Sequence, residues 1–227
     1  MAREMKAEAP RSLIIACGAL GREIVDTLRL NGWEQLQVTC LPAIWHNRPQ
    51  KIPEGVRGKI RAARARGIER IFVAYGDCGT GGLLDQVLEE EGACRLPGPH
   101  CYAFYSGQAA FDIMADRDPT CFYLTDYLTR HFDRLIIEGL ALDRHPELLP
   151  DYFGNYTKLV YLAQVKDPAL EEKARAAADF LELQYDYRFT GLGELGDFLA
   201  AAAEGAALGT GSLQETAEPQ TSAAGEV

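Results

Sequence analysis

Ile71-Phe-Val-Ala-Tyr-Gly-Asp-Cys-Gly-Thr-Gly-Gly-Leu83 decides the fold class. Ile71 to Tyr75 is a short apolar run of β-branched and aromatic residues, with the length and flanks of a buried strand. Gly76 to Gly82 is too rich in glycine for helix or strand. Leu83, Leu84, Val87 and Leu88 then recur at helical spacing. A strand stops, a turn carries Asp77 and Cys78, and a helix starts. In an α/β sheet such a turn lies at the carboxyl edge of the strands, where these folds place their sites. A second turn, Pro97-Gly-Pro-His-Cys-Tyr102, brings His100 and Cys101 side by side.

The same alternation runs outward in both directions. Ser12–Cys17 reads as a strand ended by Gly18, and Ala19–Leu30 as a helix. Leu36–Leu41 is a strand, Pro42–Pro53 an irregular loop, and Glu54–Arg66 a helix with one arginine-rich face. Gly107–Ala115 reads as helix, Cys121–Thr125 as strand, and Tyr127–Gly139 as a helix capped by Asp126. Lys158–Gln164, Pro168–Leu183, Tyr185–Phe189 and Glu194–Ala203 continue as strand, helix, strand and helix. Strands alternating with helices predict an α/β fold: a doubly wound, mostly parallel sheet of about 6–7 strands with helices on both faces. Residues 12–203 are expected to form a single α/β domain. Residues 1–11 are expected to be a flexible arm and 204–227 a disordered tail rich in Gly, Ala, Ser, Thr and Glu. Asp151-Tyr-Phe-Gly-Asn-Tyr156 leads into the amino end of a strand, so it should lie away from Cys78, with Gly154 left-handed at a helix stop.

Composition narrows the function. The 227 residues are 47% hydrophobic and 25% charged, as in a soluble globular protein. The net charge of −10 speaks against a nucleic-acid groove or an anionic membrane. No apolar run reaches the roughly 20 residues of a membrane span. A cytoplasmic protein is expected, with its six cysteines reduced.

Cysteine and histidine carry the chemistry. His46, Cys78 and Cys101 fall in loops at one edge and compose a Cys2His set, known for catalytic zinc with one open position. His100 is the alternative to its neighbour Cys101. Cys17 ends the first strand and could reach the same edge, although a core position suits it better. Cys40 and Cys121 read as core. Asp77, Asp126 and Glu138 are the carboxylates expected near the site, with Asp77 and Glu138 as candidate bases. Thr80, Gly81 and Gly82, at a helix start, could hold a carboxylate or phosphate of a substrate or cofactor. The turn Cys17–Gly21 lacks the glycine spacing of a dinucleotide site.

Five segments together resemble a family of bacterial and archaeal proteins known as domain of unknown function 1638. They are Ile15-Ala-Cys-Gly-Ala-Leu20, His46-Asn-Arg-Pro49, Tyr75-Gly-Asp-Cys-Gly-Thr80, His100-Cys-Tyr102 and Asp151-Tyr-Phe-Gly-Asn-Tyr156. The resemblance implies a metal site at His46, Cys78 and Cys101. It also implies a genomic association with corrinoid-dependent methyltransferase systems for methylated amines. The expectation is a zinc-binding enzyme acting on a small molecule, in its specific form a methyltransferase of one-carbon metabolism that takes a methyl group from a corrinoid protein. The alternative is a non-catalytic accessory protein that binds a metal, a corrinoid or a partner subunit. A homo-oligomer is compatible with either.

Overall fold

The computed structural model describes residues 12–205. The expected arm at 1–11 and the tail beyond 205 lie outside the described residues. Strand β1 (Ser12–Cys17) is buried at every position, because neighbouring strands flank it and helices cover both its faces. Helix α1 (Gly21–Leu30) follows, then β2 (Leu36–Leu41), two 3-10 turns at Ala43–Asn47 and Pro49–Lys51, and α2 (Ile52–Arg64). Next come β3 (Arg70–Ala74), α3 (Leu83–Glu90) and the short β4 (Cys94–Arg95). These strands form one parallel sheet in the order β2-β1-β3-β4.

The second half begins with α4 (Ala103–Ser106) and α5 (Gln108–Arg117), followed by β5 (Cys121–Thr125) and α6 (Asp126–Arg130). A π-helical turn at Asp133–Ile137, α7 (Leu149–Phe153), β6 (Lys158–Ala163), α8 (Pro168–Phe180) and β7 (Gln184–Phe189) complete it. Its sheet is also parallel, in the order β5-β6-β7. Helix α9 (Gly193–Glu204) then returns to the first half. Its Leu195, Phe198, Leu199 and Ala202 join the core of β1 and β3, with the Phe198 ring edge-on to Phe72 at 6.2 Å.

The α/β class and the parallel strands stand as read. The strands are shared between sheets of four and three rather than forming one sheet. The chain crosses between the two halves at Gly107 and again at Gly191–Gly193, and these crossings touch. The Gln108 N–H donates to Glu194 Oε1 at 2.9 Å, and a Cβ on Gly193 would meet the Tyr105 carbonyl oxygen at 2.2 Å. With φ of +48° as well, only glycine serves there.

Several local expectations change. Thr125, not Asp126, caps α6, accepting from the Leu128 N–H at 3.4 Å. Asp126 is fully buried and accepts from Tyr161 Oη at 2.7 Å and from the Val165 N–H at 3.1 Å, tying β5 to the end of β6. Cys40 is exposed, because β2 is an edge strand and its outer face meets solvent. Gly154 has φ −62°, so α7 ends in right-handed geometry without a left-handed stop. Among the described residues, no helix is long and apolar enough to cross a membrane.

Candidate functional site

Each strand of the four-stranded sheet delivers one polar side chain to its carboxyl edge. Cys17 is the last residue of β1, and His46 lies in the 3-10 turn after β2. Cys78 lies in the turn after β3, and Cys101 in the loop after β4. Parallel strands end at one level, so four separate connections become one cluster.

The turn after β3 is built to aim Cys78. Its φ of +49° is rare for a side chain with a Cβ and costs of order 1 kcal/mol. Backbone bonds hold it there: the Asp77 N–H donates to the Gly98 carbonyl at 2.9 Å, and the Cys78 N–H to the Pro99 carbonyl at 2.7 Å. The Asp77 carboxylate closes the turn from outside. It accepts from Thr80 Oγ1 at 2.6 Å, from the Gly82 N–H at 2.9 Å and from the Gly79 and Gly81 N–H groups at 3.2 Å. Partial burial works to raise its pKa, but the Thr80 hydroxyl and these N–H groups outweigh it and hold the carboxyl below its usual range. Asp77 therefore organises the turn and occupies the donors of Gly81 and Gly82 that sequence reasoning reserved for a ligand anion. Glu138 is exposed just beyond the π-helical turn and does not line the cavity described below.

The sulfur atoms form a row. Cys78 Sγ and Cys101 Sγ stand 3.2 Å apart, beyond the 2.05 Å of a disulfide. Cys17, at the end of β1, lies close to Cys101. Cys78, Cys101 and Cys17 are all buried, while His46 stays open to solvent beside Cys78. The Cys101 thiol draws the Cys78 pKa down to about 5, burial opposing and the His46 imidazole assisting. Contact with Cys78 in turn raises His46 against the effect of desolvation. The Cys101 pKa is pushed well up by the neighbouring Cys17 and Cys78 and by burial, and Cys17 is lowered chiefly by Cys101. A single S–H on Cys101 cannot serve both neighbours at once. A backbone donor faces the row, the Gly76 N–H reaching Cys101 Sγ at 3.3 Å, and the nearby Ala19 backbone and Tyr75 hydroxyl help to lower the Cys17 pKa.

Such a set suits a soft cation, because thiolates and imidazole are the donors zinc prefers and N–H bonds to sulfur stabilise the thiolate. Among the described residues, no three Cys, His, Asp or Glu side chains stand in a ready metal-holding arrangement. The sulfurs are contracted, since two thiolates sharing a tetrahedral zinc at about 2.3 Å each would lie about 3.8 Å apart. A separation of a few tenths of an ångström is what the donors need to reach that spacing.

The cluster opens on a cavity of about 350 Å³ between the two halves. Cys17, His46 and Cys101 form one wall, and Tyr102, Tyr105, Tyr123, Tyr127 and Tyr156 form much of the rest. Cys78 sits one layer behind. His100 does not line the cavity. It stacks on Tyr102 with ring centroids 4.9 Å apart, and its Nδ1 is buried without a hydrogen-bond partner among the described residues. Tyr156 does reach the cavity, contrary to the expectation for its segment, because the cavity extends along β5 to Phe122 and Cys121. Cys17 belongs to the core, as its strand suits, and also reaches the cavity, the alternative its sequence leaves open. Its position at a strand end before a glycine was the available signal. The tyrosines gave none, because tertiary packing alone brings them together.

The family described as Protein of unknown function (DUF1638) matches residues 40–199, and the chain belongs to it. The match spans His46, Cys78 and Cys101 and begins after Cys17. No curated protein and no solved structure matches the chain.

Proposed function

We propose that this DUF1638 protein is a zinc-binding enzyme acting on a small molecule in the cavity between its two sheets. The observation that supports this is the convergence of four side chains, one from the end of each parallel strand: Cys17, His46 and Cys101 on the cavity wall and Cys78 directly behind it. Cys78, Cys101 and His46 would hold the metal, which when bound supplies Lewis acidity and lowers the pKa of a bound thiol or water. The chain's own part is positional. The left-handed Cys78 turn fixes one sulfur, the Gly76 N–H orients the other, and the tyrosine walls keep bulk water from the reacting group.

The specific form we favour is methyl transfer in corrinoid-dependent one-carbon metabolism, and it rests on the family resemblance. In that form a partner's corrinoid would supply the methyl group, and the residues of the cavity would hold the substrate thiol that receives it. A second reading, a non-catalytic metal-binding accessory protein, is favoured by Cys17, which as a fourth protein donor would close the site.

Protein purified without chelators is expected to hold about one zinc per chain. Cys78→Ser should lose most of that zinc and keep its fold. X-ray absorption of the zinc-loaded protein separates the two readings: three protein donors plus an exogenous atom support the enzyme, and four protein donors support the accessory role. Wild-type protein without stoichiometric metal would sink both.

A further inference from the structure

We infer that Cys78 and Cys101 are a site of reversible oxidation, which a small hydroperoxide closes to a disulfide, and that closure expels the metal. The inference deepens the proposed function by naming a regulation of the same site, and it rests on that reading only for the metal that is expelled.

The spacing of the two sulfurs carries the argument. Cys78 Sγ and Cys101 Sγ stand 3.2 Å apart. That distance falls between the roughly 2.05 Å of a disulfide and the roughly 3.8 Å of two thiolates on one zinc. One state needs an approach of about 1.2 Å and the other a separation of about 0.6 Å, which side-chain rotation supplies. The backbone beneath the pair is already tied, with the Cys78 N–H donating to the Pro99 carbonyl at 2.7 Å and the Asp77 N–H to the Gly98 carbonyl at 2.9 Å. Neither state therefore requires the loops to part. The two states exclude each other, because zinc binds thiolates and a disulfide offers none.

Burial selects the oxidant. Cys78 is 5% exposed and Cys101 7%, which leaves a bulky disulfide no approach to either sulfur. Cys101 lines the cavity, whose volume of about 350 Å³ admits hydrogen peroxide. One thiolate of the pair attacks an oxygen of the peroxide. A sulfur–oxygen bond forms, the oxygen–oxygen bond breaks and hydroxide leaves, so that the sulfur becomes a sulfenic acid. The other thiolate then forms the sulfur–sulfur bond as the sulfur–oxygen bond breaks, and a second hydroxide leaves. The two sulfurs together give up two electrons and the peroxide takes them.

The test uses the full chain with Cys40→Ser and Cys94→Ser, which remove exposed thiols that would otherwise react first. The protein is purified under reductant, loaded with zinc and treated with hydrogen peroxide in steps. Freed zinc is read with a chromophoric chelator, linkage by peptide mass spectrometry, and folding by thermal melting. About one zinc should leave for each Cys78–Cys101 disulfide formed, the melt should stay cooperative, and dithiothreitol should restore both thiols and zinc binding. Glutathione disulfide at the same concentration should free zinc at least about tenfold more slowly. Cys17→Ser should leave the linkage unchanged. Linkage of Cys101 to Cys17 instead, oxidation without a disulfide, or loss of the cooperative melt on closure would each overturn the inference, as would glutathione disulfide matching peroxide. Reduced protein that holds no zinc yet closes Cys78 to Cys101 would overturn the metal reading and, with it, only the expulsion. Zinc-loaded protein whose thiols resist excess peroxide would overturn the oxidation site alone.

Discussion

Gly76→Ala tests whether the two loops at the sheet edge are locked together as the geometry requires. A Cβ on Gly76 would lie 2.7 Å from the His100 carbonyl carbon and 2.9 Å from its Cα and N. All three are backbone atoms, so no rotamer change relieves the contact. Ordinary contacts begin near 3.4 Å, so the loops must part by about 0.7 Å. The bonds from Asp77 to Gly98 and from Cys78 to Pro99 would stretch with them, as would the Gly76 contact with Cys101 Sγ. Overpacking costs about 1–3 kcal/mol, and each weakened hydrogen bond adds up to about 1 kcal/mol. In a domain of this size each kcal/mol lowers Tm by about 2–4 °C. The assay is thermal melting together with the rate at which the native protein's thiols react with a disulfide reagent, since the displaced loop uncovers Cys78 and Cys101. Gly58→Ala is the control: Gly58 lies within α2 with no atom of the described residues within 4 Å of a Cβ, and helix propensity should make that variant about 0.5–1 kcal/mol more stable. A Gly76→Ala protein that melts within about 1 °C of wild type with unchanged thiol reactivity would refute the lock between the loops.

Asp126→Ala should cost about 3–5 kcal/mol in urea unfolding, because it strands the Tyr161 hydroxyl, the Val165 N–H and the Arg130 guanidinium, the last 3.6 Å from Asp126. A loss below about 1 kcal/mol would show that water replaces the carboxylate. Burial raises the pKa of Glu23, against the pull of Arg130, so between its ordinary value and its raised value the folded protein binds more protons than the unfolded chain. Stability from this group is therefore present below the ordinary carboxylate range and lost as pH rises through the raised value, by about 1.4 kcal/mol for every tenfold gain in proton affinity. Glu23→Gln should flatten that decline in denaturant titrations run from pH 4 to pH 8, and an unchanged slope would contradict it. Asn155 is exposed, so Asn155→Ala should shift stability by no more than about 0.5 kcal/mol and leave zinc content unaltered, as melting and metal analysis on one preparation will show.

The strands Ser12–Cys17, Leu36–Leu41 and Cys121–Thr125 have the bounds expected from their apolar runs, because local hydrophobicity and glycine stops determine where such strands end. The division into two sheets is a different kind of fact. It depends on which strands pair, and β5 carries the same local pattern whether it adds to the first sheet or starts another. Cys40 shows the same limit, since its strand reads as apolar while edge position decides which face is wet. At the site, His46, Cys78 and Cys101 were legible as loop residues at one edge. The part Asp77 plays in its own turn was not legible, because its partners, the Thr80 hydroxyl and the N–H groups of that turn, are invisible until the turn is folded. The tyrosine wall comes from segments spread between Tyr102 and Tyr156, and no sequence window joins them.

The return of α9 makes the first half discontinuous along the chain. Leu195 and Leu199 are wholly buried and Phe198 nearly so, against strands made about 120 residues or more earlier. On the ribosome, the three-stranded sheet can finish while the four-stranded sheet, synthesised first, still exposes the apolar face that α9 will cover. The cysteine row lies on that earlier, later-finished half. Its thiols emerge from the ribosome well before their scaffold is sealed, and the nascent chain must keep them reduced and apart until its last described helix arrives.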